Sequence, residues 1–136
     1  MGRKYVFHDS KKLYFVSFAT VSWIDVFVRQ IYFQIVIESI KYCIGNKWLE
    51  VYAWCIMPSQ VHLIISSEKA ELSDIMRDLK RHTSKKLLSS IQLNIQESRK
   101  EWMLWIACPA STDLQVQVKK ILTMIIIDSG SKIIIQ

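Results

Sequence analysis

The 136-residue chain contains three cysteines, and no two of them form a CxxC pair. Cys43, Cys55 and Cys108 are widely separated and odd in number, which argues against a disulfide framework or a zinc knuckle and indicates reduced thiols. No segment reaches the roughly 18 consecutive apolar residues that a membrane span requires. The N-terminus has no long apolar core of the kind found in signal peptides. These absences predict a soluble, cytoplasmic protein with no membrane partner.

Apolar residues and positive charge are, by contrast, abundant. Apolar residues make up 51% of the chain and aromatic residues 11%, which is typical of a globular protein. The length fits one domain with a substantial core. The formal net charge of +6 is compatible with a polyanionic partner, although many basic proteins bind no nucleic acid.

The pattern of apolar residues predicts an α+β fold. Two-residue alternation and β-branched or aromatic content indicate strands, and three- or four-residue spacing indicates helices. The predicted strands are Leu13–Thr20, Glu50–Met57 and Gln60–Ser66, and the predicted helices are Ile31–Ile44, Leu72–Ile91 and Glu97–Ile106. This β-α-β-β-α order is typical of a ferredoxin-like domain, an antiparallel sheet with helices on one face. Such a sheet needs one more strand, so the domain is expected to be incomplete at the C-terminus.

The third predicted strand carries the most informative residues. In a strand, residues i and i+2 project to the same face, so Gln60 and His62 project together while Val61 and Leu63 face the other way. Two polar side chains on one face of an otherwise apolar strand have the geometry of a metal-binding pair. A single strand histidine, taken alone, is more often structural.

The second predicted helix carries a basic stripe. Arg77, Arg81 and Lys85 lie at i, i+4 and i+8, with Lys80 and Lys86 beside them. Such a stripe is commonly a solvated helix face. It also has the spacing of a phosphate-contacting surface. Trp102 and Trp105, on the short third helix, are interpreted as core residues rather than base-stacking ones.

Several motifs together resemble those of the REP-associated tyrosine transposases, a branch of the HUH single-tyrosine transposases. The resemblance covers about residues 4–106 and rests on four segments: Leu13–Thr20 (LYFVSFAT), Ala53–Pro58 (AWCIMP), His62–Ile64 (HLI) and Leu79–Lys85 (LKRHTSK). In that branch the central motif has the form Met-Pro-Xaa-His-hydrophobic-His-Leu. Here it runs from Met57 to Leu63, with Gln60 in place of the first histidine.

The resemblance implies DNA transposition chemistry. Members of the family bind folded single-stranded DNA, often as dimers, and a tyrosine attacks a phosphate polarised by Mg²⁺ or Mn²⁺. On this basis Gln60 and His62 occupy metal-ligand positions, and a homodimer is an expected state. The residues expected to contact single-stranded or hairpin DNA are Arg77, Lys80, Arg81, Lys85 and Lys86.

Two departures from the family pattern affect the expected activity. The amide oxygen of Gln60 can ligate Mg²⁺ or Mn²⁺, but it is neutral and a weaker donor than imidazole for softer ions, so metal binding is expected to be weakened. Decay by point mutation is favoured over adaptation at this position. No tyrosine follows Tyr52, and the five tyrosines are interpreted as core or sheet-surface residues. No catalytic residue is therefore assigned.

These features favour a catalytically inactive transposase-like protein. The alternatives are a single-stranded nucleic-acid-binding module without cleavage activity and a small ferredoxin-like interaction protein.

The segment 107–136 has a different composition from residues 4–106. Its isoleucine triplets and lysines are encoded by A/T-rich codons. One possible set of codons for 119–136, translated in the reading frame that starts at the third base of each codon, gives a Phe-Trp-(Lys/Gln)-Gln-Asp-Asn-Xaa-Pro pattern. The same transposase branch carries such a pattern shortly after the segment that corresponds to Glu101–Leu104. The sequence thus predicts a transposase-like domain at 4–106 and an out-of-frame tail at 107–136. The alternative is a genuine isoleucine-rich final strand.

Overall fold

The structure is a computed structural model that describes residue 7, residues 9–107 and the backbone of 122–128. The remaining parts of the predicted domain and tail, 4–6, 8, 108–121 and 129–136, lie outside the described residues. The elements in chain order are β1 (Tyr14–Thr20), α1 (Gln30–Asn46), β2 (Glu50–Ile56), β3 (Gln60–Ser66), α2 (Leu72–Leu93), α3 (Lys100–Ala107) and β4 (Leu122–Asp128). Two short 3₁₀ turns, Val21–Trp23 and Val26–Val28, connect β1 to α1.

The described strands form one antiparallel sheet in the order β2-β3-β1-β4. This arrangement confirms the predicted α+β, ferredoxin-like class. β4 pairs with β1 along its whole length, from Tyr14 opposite Asp128 to Thr20 opposite Leu122. It lies in the segment for which an isoleucine-rich final strand was the alternative. No helix among the described residues is long and apolar enough to cross a membrane.

Buried and partly exposed side chains alternate along the two central strands, β1 and β3, so the sheet has one buried face and one open face. Val16 and Phe18 of β1 and Val61 and Leu63 of β3 are buried. They belong to the same core cluster as Val36 and Ile40 of α1 and Ile75, Leu79 and Leu87 of α2. Both long helices therefore cover one face of the sheet, as the sequence predicted, and burial of these apolar side chains supplies most of the stabilisation.

The helix boundaries differ from the predicted ones at three places. α1 continues through Gly45 and Asn46, which were expected to stop it, and ends where the Lys47 N–H donates to the Cys43 carbonyl. α2 extends to Leu93. α3 begins at Lys100, because Glu97, the predicted start, is folded into the protein instead.

Glu97 lies at the centre of a buried polar network. Its side chain is fully buried and is 2.6 Å from the Arg29 Nε atom. The Tyr32 hydroxyl donates to it over 3.1 Å, and Arg99 donates through its backbone N–H and its Nε. Arg99 also pairs with Asp25 over 2.6 Å. The network fixes the segment that enters α3 against the start of α1.

The pKa of Glu97 reflects competition between burial and hydrogen bonding. Burial alone would raise the pKa, but the donors from Arg99 and Tyr32 and the charge of Arg29 together hold it below its ordinary value of 4.5. A carboxylate with a depressed pKa stabilises the fold above the unfolded-state pKa. That contribution is lost as the pH falls through the folded-state pKa.

Glu97→Gln should therefore lower the free energy of unfolding at pH 7 by about 1–3 kcal/mol, because it removes the negative charge that pairs with Arg29 and Arg99 and replaces one acceptor oxygen with an NH₂ donor. The difference from the parent should begin to shrink as the pH falls below about 4.5, where the carboxylate of the unfolded chain takes up a proton, and should be lost below the lower pKa of the folded state. Urea denaturation at pH 7 and at a pH below the folded-state pKa of Glu97 measures this difference in the free energy of unfolding. The exposed Glu68→Gln is the matched control. Equal stability of the Glu97→Gln variant and the parent at pH 7 would contradict the role of the network.

Candidate functional site

Gln60 and His62 project from the open face of the sheet. Both are partly exposed, whereas Val61 and Leu63, which alternate with them, are 3% and 1% exposed. Their partners in register are Ala19 for Gln60, and Ser17 and Cys55 for His62. The structure thus brings the two predicted metal-position residues together on one face that the two long helices do not cover.

The imidazole of His62 is held in a defined orientation by β1. Its Nδ1 lies 2.6 Å from the Ser17 Oγ atom. The Phe15 ring stacks on it with a centroid distance of 5.6 Å and an interplanar angle of 19°. When Nδ1 carries the proton and donates to Ser17, Nε2 presents its lone pair to the open face. A hydrogen bond from the ring nitrogen that does not bind the metal is the usual means of orienting a ligating histidine.

The donor set does not fit a dedicated Mg²⁺ or Mn²⁺ site. Such ions take about six ligands, mainly oxygens and usually including a carboxylate. His62 and Gln60 provide one imidazole nitrogen and one neutral amide oxygen. Among the described residues, no group of three or more His, Cys, Asp or Glu side chains comes together to hold a metal ion. The side chains of β3 and its neighbours therefore cannot complete a hard cation's coordination shell.

No described tyrosine is placed to attack a phosphate held at His62. Tyr14 and Tyr32 are buried, and Tyr42 lies on α1, on the far side of the sheet. The Tyr52 hydroxyl lies 3.3 Å from the Ser66 Oγ atom. Ser66 is four residues along β3 from His62, which corresponds to roughly 13 Å at the rise of a strand. A nucleophile must approach within about 3–3.5 Å of its target.

The predicted basic residues of α2 fall into two groups. Arg77 is neutralised in part by ion pairs with Asp74 at 3.1 Å and Asp78 at 3.4 Å. Lys80 is half-buried where α2 meets the sheet, beside Phe18 and Thr83. The other three cations, Arg81, Lys85 and Lys86, are exposed. Within the described part of the chain, none of these three forms an ion pair with an acidic side chain.

Arg81 and Lys85 line an open groove between α1 and α2, of about 460 Å³. We call this the α1–α2 groove and define its working residues as Tyr42, Lys47, Arg81, His82 and Lys85. The Tyr42 and His82 rings stack across it with a centroid distance of 6.1 Å. Lys47 and Asp78 also line the groove and form a 2.9 Å ion pair. The hydrogen bond from Lys47 holds the pKa of Asp78 below its ordinary value.

Sequence reasoning found only part of the groove. It placed Arg81 and Lys85 on one stripe but took Tyr42 for a core or sheet-surface residue, whereas Tyr42 is 53% exposed. The interpretation of Trp102 and Trp105 as core residues was also wrong. They are 50% and 71% exposed, whereas Met103, which lies between them on α3, is buried. The short helix buries one edge only, so its two tryptophans lie outside the core.

The two candidate sites lie on opposite sides of the sheet. β3 presents Gln60 and His62 on the open face, and α2 presents the α1–α2 groove from the helical layer on the other face. A single bound phosphate cannot contact both.

Comparison with known proteins agrees with this architecture. A family model described as IS200-like transposase matches residues 14–107. A crystal structure of a protein assigned as a transposase, from Deinococcus radiodurans R1, is 25% identical, with a TM-score of 0.50 over 66% of this chain and 67% of its own. The structure of a REP-associated tyrosine transposase bound to a REP hairpin is 17% identical. It has a TM-score of 0.52 over 63% of this chain and 53% of its own, a likeness that shows the fold alone. No curated protein is significantly similar in sequence.

The fold and the matched segment together define the class: an α+β domain of the transposase type, with β3 at the centre of its sheet. The family match spans more than half of the chain, so this protein belongs to the IS200-like transposase family. The family predicted from the motifs between Leu13 and Lys85 is thereby confirmed.

Proposed function

We propose that this protein is a transposase-like protein that binds single-stranded or hairpin DNA and does not cleave it. The observation that carries the proposal is the separation of two sites. The α1–α2 groove has the charge and aromatic surface that a nucleic acid needs. On the open face of the sheet, the described residues form no complete Mg²⁺ or Mn²⁺ site and include no adjacent tyrosine.

The groove has the composition of a single-strand binding surface. Arg81 and Lys85 supply positive charge without an acidic neighbour that pairs with them, and the exposed Tyr42 ring offers a face on which a base can stack. His82, already stacked on Tyr42, adds a hydrogen-bond donor. The hairpin named for the REP-associated neighbour supports DNA as the ligand class.

The alternative is a nucleic-acid-binding module that accepts RNA as readily as DNA. The same groove supports this alternative, because contacts to phosphates and stacked bases distinguish neither the base sequence nor ribose from deoxyribose. Competition between a DNA hairpin and an RNA hairpin of the same sequence separates the two proposals. Preference for DNA favours the transposase-like role, and equal binding favours the general module.

Charge reversal in the groove should weaken DNA binding and its salt dependence. In Arg81→Glu/Lys85→Glu, loss of two phosphate contacts should lower affinity about tenfold or more. It should also reduce the slope of log K against log salt by about 1.4 for contacts to single-stranded DNA, or about 1.8 for contacts to the duplex stem. Fluorescence anisotropy with a labelled hairpin at several salt concentrations measures both. Arg77→Glu should have a smaller effect, because Arg77 is already paired with Asp74 and Asp78.

The matched control is Lys11→Glu/Lys12→Glu, which changes the net charge equally at exposed lysines outside the groove. If the two double variants lose affinity equally, net charge alone explains the binding. If the Arg81→Glu/Lys85→Glu variant binds like the parent, the groove is not the contact surface.

Cleavage should be absent. The purified chain, incubated with a DNA hairpin and Mg²⁺ or Mn²⁺, should give neither a nicked product nor a covalent adduct, because no described tyrosine lies beside His62. Denaturing gels with end-labelled DNA measure both. Appearance of an adduct, above all one that Tyr52→Phe removes, would contradict the proposal.

We propose in addition that the segment 107–136 is read out of frame. The composition of that segment supports this, and so does the end of the family match at residue 107, next to the predicted boundary. The coding DNA should carry one inserted or deleted base near codons 106–118, followed by a long open frame. Stop codons in both other frames soon after codon 107 would contradict it.

A further inference from the structure

The open face of the sheet carries one chemical group that the proposed function does not use. Cys55 of β2 is an exposed free thiol, and its partner in the strand register is His62. Residues directly opposite on antiparallel strands share a face and have Cβ atoms about 4.5–5.5 Å apart. Cys55 and His62 therefore occupy neighbouring positions on the open face.

Gln60 completes a compact donor group on this face. It lies two residues before His62 on β3, so its amide projects on the same side. Ser17 and Phe15 hold the imidazole from the β1 side, which leaves Nε2 directed away from the Ser17 hydroxyl. The three donors are then a thiolate sulfur, an imidazole nitrogen and an amide oxygen.

This donor set differs in kind from one suited to Mg²⁺ or Mn²⁺. Sulfur and imidazole ligands select borderline-soft ions, above all Zn²⁺, whereas carboxylates and water suit Mg²⁺. Zn–S and Zn–N bonds of about 2.3 and 2.0 Å place the two ligand atoms roughly 3.5 Å apart in a tetrahedral site. Side chains on Cβ atoms at cross-strand spacing can span that distance.

We infer that Cys55 and His62, with Gln60 as a weaker third donor, form a Zn²⁺ site on the open face of the sheet. The thiolate supplies the negative charge that the neutral glutamine does not, and water fills the remaining coordination position. The site is independent of the proposed DNA contact, because the α1–α2 groove lies on the other side of the sheet.

The test uses the full, reduced chain and Co²⁺ as a spectroscopic substitute for Zn²⁺. Co²⁺ should bind with an intense near-ultraviolet charge-transfer band from a Co–thiolate bond, and Zn²⁺ should displace it. Cys55→Ser should abolish the band and lower Co²⁺ affinity at least tenfold. His62→Ala should lower the affinity by a similar factor. Gln60→His should raise Zn²⁺ affinity, because an imidazole replaces the amide on the same face.

Two matched controls remove the same groups elsewhere in the chain. Cys43→Ser and His82→Ala, in the helical layer on the other side of the sheet, should keep the parent band and affinity. A parent chain without a saturable band, a Cys55→Ser variant that keeps it, or displacement of Co²⁺ by Mg²⁺ as readily as by Zn²⁺ would each overturn the inference. DNA binding by the groove can persist under any of these outcomes, so failure of the metal site is distinguishable from failure of the proposed function.

Discussion

The central position of β3 is the constraint on which the rest of the structure depends. β3 pairs with β1 on one side and β2 on the other, so its register is fixed along both edges. A slip of one residue would move Val61 and Leu63 to the open face and bury Gln60 and His62 under the helices. The same register of β3 thus buries the apolar pair and exposes the polar pair. The open-face site is therefore a consequence of core packing.

The helical layer is fixed by a different kind of interaction. Apolar burial against β1 and β3 holds α1 and α2 on one face, while polar contacts set how the helices lie relative to each other. The ion pair of Lys47 with Asp78 and the stack of Tyr42 on His82 link the two helices directly. Exposed contacts of this type contribute little stability. Their main effect is to determine which side chains line the groove.

The sequence sufficed for the features governed by local periodicity. Alternation along β3 predicted the shared face of Gln60 and His62, and the four-residue spacing of Arg77, Arg81 and Lys85 predicted their common stripe. It could not identify the groove, because Tyr42 and His82 are 40 residues apart and meet only through helix packing. It also misplaced Glu97, since its burial depends on Arg29 and Tyr32 from the start of α1. The spacing of residues along the chain does not show which distant segments contact each other in the fold.

Separation of the two sites has a consequence for how such a protein can change. Gln60 and the α1–α2 groove share no side chain and lie on opposite sides of the sheet, so substitutions in one leave the contacts of the other intact. Effects of distant sites without shared partners are usually additive. Metal chemistry on the open face can therefore be lost or altered while the fold and the basic groove persist. A substitution at position 60 leaves the core contacts intact, because that side chain projects from the open face and is not part of the core.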